Sequence, residues 1–244
     1  MNAQILAASL LGIVFLPVLA SAAQVTVQSG PNRAYLLELY TSEGCSSCPP
    51  AESWLSTLRQ SPRLWKDVVP VAFHINYWDD LGWKDSLATQ ATTDRQRAYA
   101  AAWGASNIYT PAFVLNGGEW RDRDLDSIPA TTTQAGMLSA TLDENGDVHV
   151  TFHPLMKISG KWQAHVALLG LGVSSDVKAG ENRGRRLVHD FVALDFQESE
   201  MNGELPTAVF HLPPDKVKSG HSALAVWITE AGKLEPLQAA GGDI

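Results

Sequence analysis

Cys45 and Cys48 are the only two cysteines of the 244-residue chain, and only Ser46 and Ser47 separate them. A thiolate attacks disulfides, and a second thiol two residues further on can release the mixed disulfide by closing a short ring. The pair therefore predicts thiol–disulfide exchange, with Cys45 as nucleophile and Cys48 as resolving thiol. A bridge enclosing two residues restrains little unfolded-chain entropy, which weakens a purely structural reading. Cys45, Cys48 and a histidine such as His74 form the rival constellation, because thiolate and imidazole suit copper(I) or zinc. A copper(I)-delivery protein and a non-catalytic binding module are thus the other two classes these residues allow. Exchange itself needs no cofactor and no metal; its partners are a protein or small-thiol substrate and a redox partner.

The surrounding pattern supplies elements to position the thiols. Ala34 to Tyr40 is a nearly continuous apolar run, as in a strand buried on both faces, and leads straight into the cysteines. After them Ala51, Trp54, Leu55 and Leu58 recur at helical spacing, which predicts a helix from about Pro49 to Gln60, with the two prolines tolerated in its first turn. Cys45 then sits where a helix dipole favours a thiolate. Val68 to Ile75 reads as a second strand and completes a parallel βαβ unit. Ser86 to Trp103 reads as a helical insertion, and Thr110 to Leu115 as a third strand that turns at Asn116-Gly117 into a fourth near Glu119. From about Ala135 short strands alternate with turns, which suggests a small β-sandwich.

From residue 33 to 125 the chain resembles the thioredoxin superfamily. There a proline in cis stands opposite the C-x-x-C, and Thr110-Pro111 matches it. That resemblance implies that Thr110 presents its backbone to an extended substrate and that Pro111 shields the dithiol. It also implies a buried acid on the strand before the cysteines, and Glu38 is the nearest match, as a proton acceptor. Ser46-Ser47 replaces the Gly-Pro of thioredoxin, and Gly44 its Trp, so oxidant, reductant and isomerase stay open. More narrowly, three strings are similar to an uncharacterised family of secreted bacterial proteins, domain of unknown function 1223. They run from Leu39 to Glu52, from His74 to Asp85 and from Gly180 to Arg185.

The expected fold class is α/β: a thioredoxin-like domain with a helical insertion over residues 24–134, then a β-sandwich domain over 135–244. Residues 1–23 carry an apolar stretch ending in Ala20-Ser21-Ala22-Ala23, which reads as a signal peptide and predicts a periplasmic or secreted protein. No later run reaches the roughly 20 apolar residues of a bilayer span, so no membrane partner is expected after cleavage. A net charge of −8 argues against nucleic acid. The sequence does not set an oligomeric state. Secondary candidates are Tyr77, Trp78 and Trp83 with Asp79 and Asp80 as a cleft rim, His149 and His153 on one strand face, and Arg183, Arg185 and Arg186 as an anion site if their loop overhangs the dithiol.

Overall fold

The computed structural model describes residues 24–155, 160–217 and 221–244; the signal peptide read over residues 1–23 lies outside them. Strand β1 is Val25–Gln28, and β2, Tyr35–Thr41, is buried from its second residue onward. The cysteine loop leads into helix α1, Pro49–Ser56, extended by a 3-10 turn over Thr57–Gln60. Strand β3, Val68–His74, returns parallel to β2, with Tyr35 opposite Val68 and Thr41 opposite His74. Helix α2, Gln90–Ala102, is fastened by a capping box between Thr89 and Thr92. Strand β4, Ala112–Leu115, pairs antiparallel on the other side of β2 and turns into β5, Gly118–Glu119. Asn116 and Gly117 both adopt positive φ, as that tight turn requires.

The second half adds β6 (Gly136–Leu142), β7 (Asp147–Pro154), β8 (Trp162–Asp176), β9 (Arg186–Met201), β10 (Thr207–His211), β11 (Ser222–Glu230) and β12 (Pro236–Asp243). These do not form a sandwich of their own. Strands β1, β6, β7 and β10 make a four-stranded sheet in the order β1-β6-β7-β10. The remaining strands join β2 to β5 in one eight-stranded sheet of order β12-β11-β8-β9-β3-β2-β4-β5, and the join is the parallel pairing of Ala72 with Val192.

The α/β expectation, a thioredoxin-like domain followed by a small β-sandwich, is therefore overturned. Among the described residues the protein is mostly β, with 46% strand against 16% helix, two large sheets and three short helices. The physical reason lies in β8 and β9, which at 15 and 16 residues are long enough to bridge both halves. Every residue from Ala164 to Gly170 of β8 is buried, so this stretch needs cover on both faces. Ala164, Val166 and Leu168 pack with the four-stranded sheet; Ala167 and Leu169 pack with the residues of β2 and β3.

The large sheet curls strongly. Two strands separate β3 from β11, about 14 Å in a flat sheet, yet the rings of Phe73 and Trp227 are only 6.4 Å apart. Strand β12 comes back against β2, where the buried Gln238 side chain accepts the Ala34 amide at 2.8 Å. Gly241 and Gly242 permit this closure, because an added Cβ would meet the Trp65 ring at 2.5 Å and Val27 at 2.9 Å.

Inside the curl, Arg95 of α2 lies over the rings of Phe73, Tyr99, Phe196 and Trp227 at 5.2–5.8 Å. It donates to both oxygens of the fully buried Glu38, at 2.7 and 3.1 Å, and Tyr40 and Tyr99 donate to the same carboxylate. Removing one partner strands the other charge. Arg95→Met should cost about 3–5 kcal/mol of stability, measured by urea unfolding, and the double variant Glu38→Leu/Arg95→Met should lose less than the single one.

Candidate functional site

Beyond Thr41 the chain leaves the sheet in a compact loop. The Cys45 amide donates to the Ser42 carbonyl at 3.1 Å, Cys48 to the Cys45 carbonyl at 3.2 Å, and Ala51 and Glu52 to the Cys48 carbonyl. Cys48 is the N-cap of α1, and Pro49 and Pro50 fill the first turn. Cys45 and Cys48 are joined by a disulfide with a Cα separation of 5.4 Å. The peptide between Thr110 and Pro111 is cis, and the Thr110 carbonyl oxygen stands 3.9 Å from Cys45 Sγ. Thr110, Pro111 and the dithiol are thus brought together. The Ser47 hydroxyl, 3.3 Å from Cys45 Sγ, is a donor available to a thiolate. The two prolines remove N–H groups from the first turn, so dipole and hydroxyl replace part of the backbone stabilisation expected there.

Both cysteines are fully buried, and two loops fasten the cysteine loop in place. From the loop between β8 and β9, the Asn182 amide donates to the carbonyls of Glu43 and Cys45 at 2.9 and 3.0 Å. Its own oxygen accepts from Arg185 at 2.8 Å. Next to it Glu181 accepts the Ser46 N–H at 3.0 Å. From the loop after β3, Trp78 donates to the Thr110 hydroxyl at 2.8 Å, and Trp83 to Glu43 at 2.6 Å. Gly44 is glycine for a local reason: a Cβ there would stand 3.0 Å from the Trp78 Cβ. The two loops also touch each other, since a Cβ on Gly180 would lie 3.2 Å from that of Trp83.

Under this loop lies a polar cluster that reading along the chain did not assemble. His189 contacts Glu52 through Nδ1 at 2.5 Å and Glu43 through Nε2 at 3.3 Å. The Thr41 hydroxyl donates to Glu52 at 2.5 Å. His74 Nδ1 is 2.7 Å from Asp85, which also accepts the Glu43 amide. All of these side chains are buried. Burial opposes charge on Glu52, but the His189 hydrogen bond and the nearby imidazoles outweigh it and hold the carboxyl below its usual range. Burial likewise opposes charge on His189, yet its bonds to Glu43 and Glu52 raise it to about 9.

Glu38 is not part of this arrangement. Side chains alternate along a strand, so Glu38 and Tyr40 face Arg95 while Thr41 faces Glu52 and α1. A one-residue difference in parity puts Glu38 on the opposite face of the sheet from the dithiol helix, and its oxygens are occupied by Arg95, Tyr40 and Tyr99. Glu52, one helical turn beyond Cys48, is the buried acid carried by the dithiol helix itself. Its position one turn after the second cysteine was the available signal. His189 had none, being more than 130 residues away along the chain.

Among the secondary candidates, Trp78 and Trp83 do border the site, and Asp79 braces the Asp85 amide at 3.1 Å. The loop bearing Arg183 and Arg185 overhangs the dithiol, but through Glu181 and Asn182, while Arg185 is spent on Asn182 and Arg186 on Ser174. His149 and His153 are exposed on β7.

Because Ser46 donates to it, the Glu181 carboxyl is held below its usual value of 4.5. A depressed carboxyl supports the folded contact above the unfolded pKa and loses it as pH falls through the folded one. Exchange of the Ser46 amide, corrected for its intrinsic pH dependence, should therefore be slow above pH about 4.5 and become less protected below it. Glu181→Gln should remove that pH dependence.

A crystal structure of an Agrobacterium tumefaciens protein is similar to this chain, with 27% identity and a TM-score of 0.60 over 86% of this chain and 93% of that one. The structure of HBP35 of Porphyromonas gingivalis shares the fold, with a TM-score of 0.57 over 88% of this chain and 76% of that one, at 12% identity. No curated protein matches the sequence. The model of the protein family of unknown function DUF1223 matches residues 36–229, a stretch that contains the cysteines, both fastening loops and the buried cluster, and the chain belongs to that family.

Proposed function

We propose that the protein is an exported thiol–disulfide oxidoreductase that works through Cys45 and Cys48. The observation that carries this reading is the disulfide at the start of α1, with Cys45 Sγ against the Thr110 carbonyl and the Ser47 hydroxyl. Kinship with the thioredoxin superfamily is proposed for the β2–α1–β3 unit and its Thr110-Pro111 partner only. In the reduced protein the Cys45 thiolate attacks a substrate disulfide, one substrate sulfur leaves as a thiolate, and a mixed disulfide forms. Cys48, deprotonated, then attacks Cys45 Sγ, expels the second substrate thiolate and restores the Cys45–Cys48 bond. Two electrons pass to the substrate; the reverse sequence oxidises a dithiol.

Burial of both cysteines adds a requirement. A substrate reaches Cys45 only when the packing around the cysteine loop opens, and we assign that opening to release of the Asn182 hydrogen bonds to the Glu43 and Cys45 carbonyls. A groove of about 660 Å³ beside Thr110, lined by Trp103, Ile108, Tyr109 and Ala112, offers apolar surface to an approaching polypeptide.

In a Cys48→Ser variant, mixed disulfides should accumulate on Cys45 when the reduced protein meets oxidised protein substrates, read by non-reducing electrophoresis and mass spectrometry. A Cys45→Ser variant should trap far less, and equal trapping by both, or by neither, removes this reading. Asn182→Ala should speed reduction of the disulfide by dithiothreitol about tenfold, since two net hydrogen bonds are worth about 1–3 kcal/mol, with little change in the equilibrium reduction potential.

A further inference from the structure

We propose that Glu52, His74 and His189 form a buried site for a divalent transition-metal cation, zinc by its donor set, beneath the dithiol loop. One ligand atom from each residue lies within 4.8 Å of the other two, and all three residues are buried. Two imidazoles and a carboxylate are the donors of mononuclear zinc centres that keep a further position open. This site is separate from the thiol reading, because it uses neither sulfur.

The orientation of the rings supports it. His74 spends Nδ1 on Asp85, which leaves Nε2 buried without a hydrogen-bond partner. The His74 and His189 rings meet edge to face, with centroids 4.8 Å apart. His189 turns Nε2 toward Glu43 and Nδ1 toward Glu52. Glu52 is steadied on its other oxygen by Thr41. Two prospective ligands therefore have a hydrogen-bonded outer partner, Asp85 for His74 and Thr41 for Glu52, and Glu43 faces the Nε2 of His189 at 3.3 Å without completing a hydrogen bond. Ligating histidines are oriented by carboxylates in this way, which fixes ring and tautomer.

A buried orphan nitrogen in a polar pocket signals a missing partner. Three carboxylates, Glu43, Glu52 and Asp85, gather around two imidazoles, an excess of negative charge that a divalent cation offsets. Tetrahedral ligands about 2.0–2.1 Å from zinc stand about 3.4 Å apart. The cation displaces the proton that Glu52 and His189 share; that pair, 2.5 Å apart, opens to about 3.4 Å, while the wider separations in the set, up to 4.8 Å, close by up to about 1.4 Å.

The test uses the full mature chain in its disulfide form, so that no thiolate competes. Chelator-stripped protein is dialysed to equilibrium against zinc chloride, and the metal is counted by mass spectrometry. A parallel sample takes cobalt(II), whose visible spectrum reports its ligands. The expected result is one metal per chain, tetrahedral cobalt bands and no sulfur-to-metal charge transfer. Asp85→Asn, which alters only an outer partner, should weaken binding about 10–100-fold, and Glu52→Gln by at least as much, while circular dichroism confirms the fold of both. Absence of stoichiometric metal in the wild type overturns the proposal. So does wild-type affinity in both variants, which places the metal elsewhere, or a sulfur charge-transfer band, which places it on the cysteines. Cys48→Ser trapping reads the exchange reaction independently, so either idea can fail alone.

Discussion

Strand β2 is buried on both faces, so each polar side chain it carries must find its partner inside the protein. Two such side chains organise the molecule. Glu38 points into the curl of the large sheet and draws in Arg95, whose guanidinium then holds together aromatic rings from β3, β9 and β11 as well as α2. Thr41 points the other way and meets Glu52 on α1, which engages His189 from β9. One strand thus connects the curled interior on one face to the dithiol helix on the other. A one-residue slip of β2 would exchange the two faces and leave buried charges unpaired on both.

The dithiol is built across the sequence. Its own loop supplies the sulfurs and Ser47, the loop before β4 supplies Thr110 and Pro111, and the loops after β3 and β8 fasten the cysteine loop in place. The stretches from Leu39 to Glu52, from His74 to Asp85 and from Gly180 to Arg185 converge here: Asn182 holds the Glu43 and Cys45 carbonyls, and Trp83 and Asp85 hold the Glu43 side chain and amide. Three of these hydrogen bonds involve backbone atoms of the cysteine loop and the fourth its Glu43 side chain, which explains how residues without redox chemistry belong to the same site. The long β8–β9 pair, by entering the same sheet as β2 and β3, is what carries the Asn182 loop to this position.

Local elements were legible wherever apolar periodicity was strong. Strands β2, β3 and β4 and helix α1 lie close to where their patterns put them, as do α2 and the Asn116-Gly117 turn. Strand β12 was not legible, because Ala239, Ala240, Gly241 and Gly242 carry no strand signature; the two glycines leave the room that Trp65 and Val27 occupy. The fastening loops and the Glu52–His74–His189 cluster were likewise invisible, since their members come from separate parts of the chain.

By itself, the sequence determined the two thiols, their place between a buried strand and a helix, and Thr110-Pro111 ahead of a strand, because these depend on spacing within a few residues. Tertiary structure decided that both halves share one curled sheet and that Glu38 faces away from the dithiol. It decided as well that Glu52 and His189 lie beneath the cysteine loop and that the cysteines are buried. Strand pairing over long separations settles all of these. The apolar alternation that marks a strand says which residues are buried, but not which distant strand covers them.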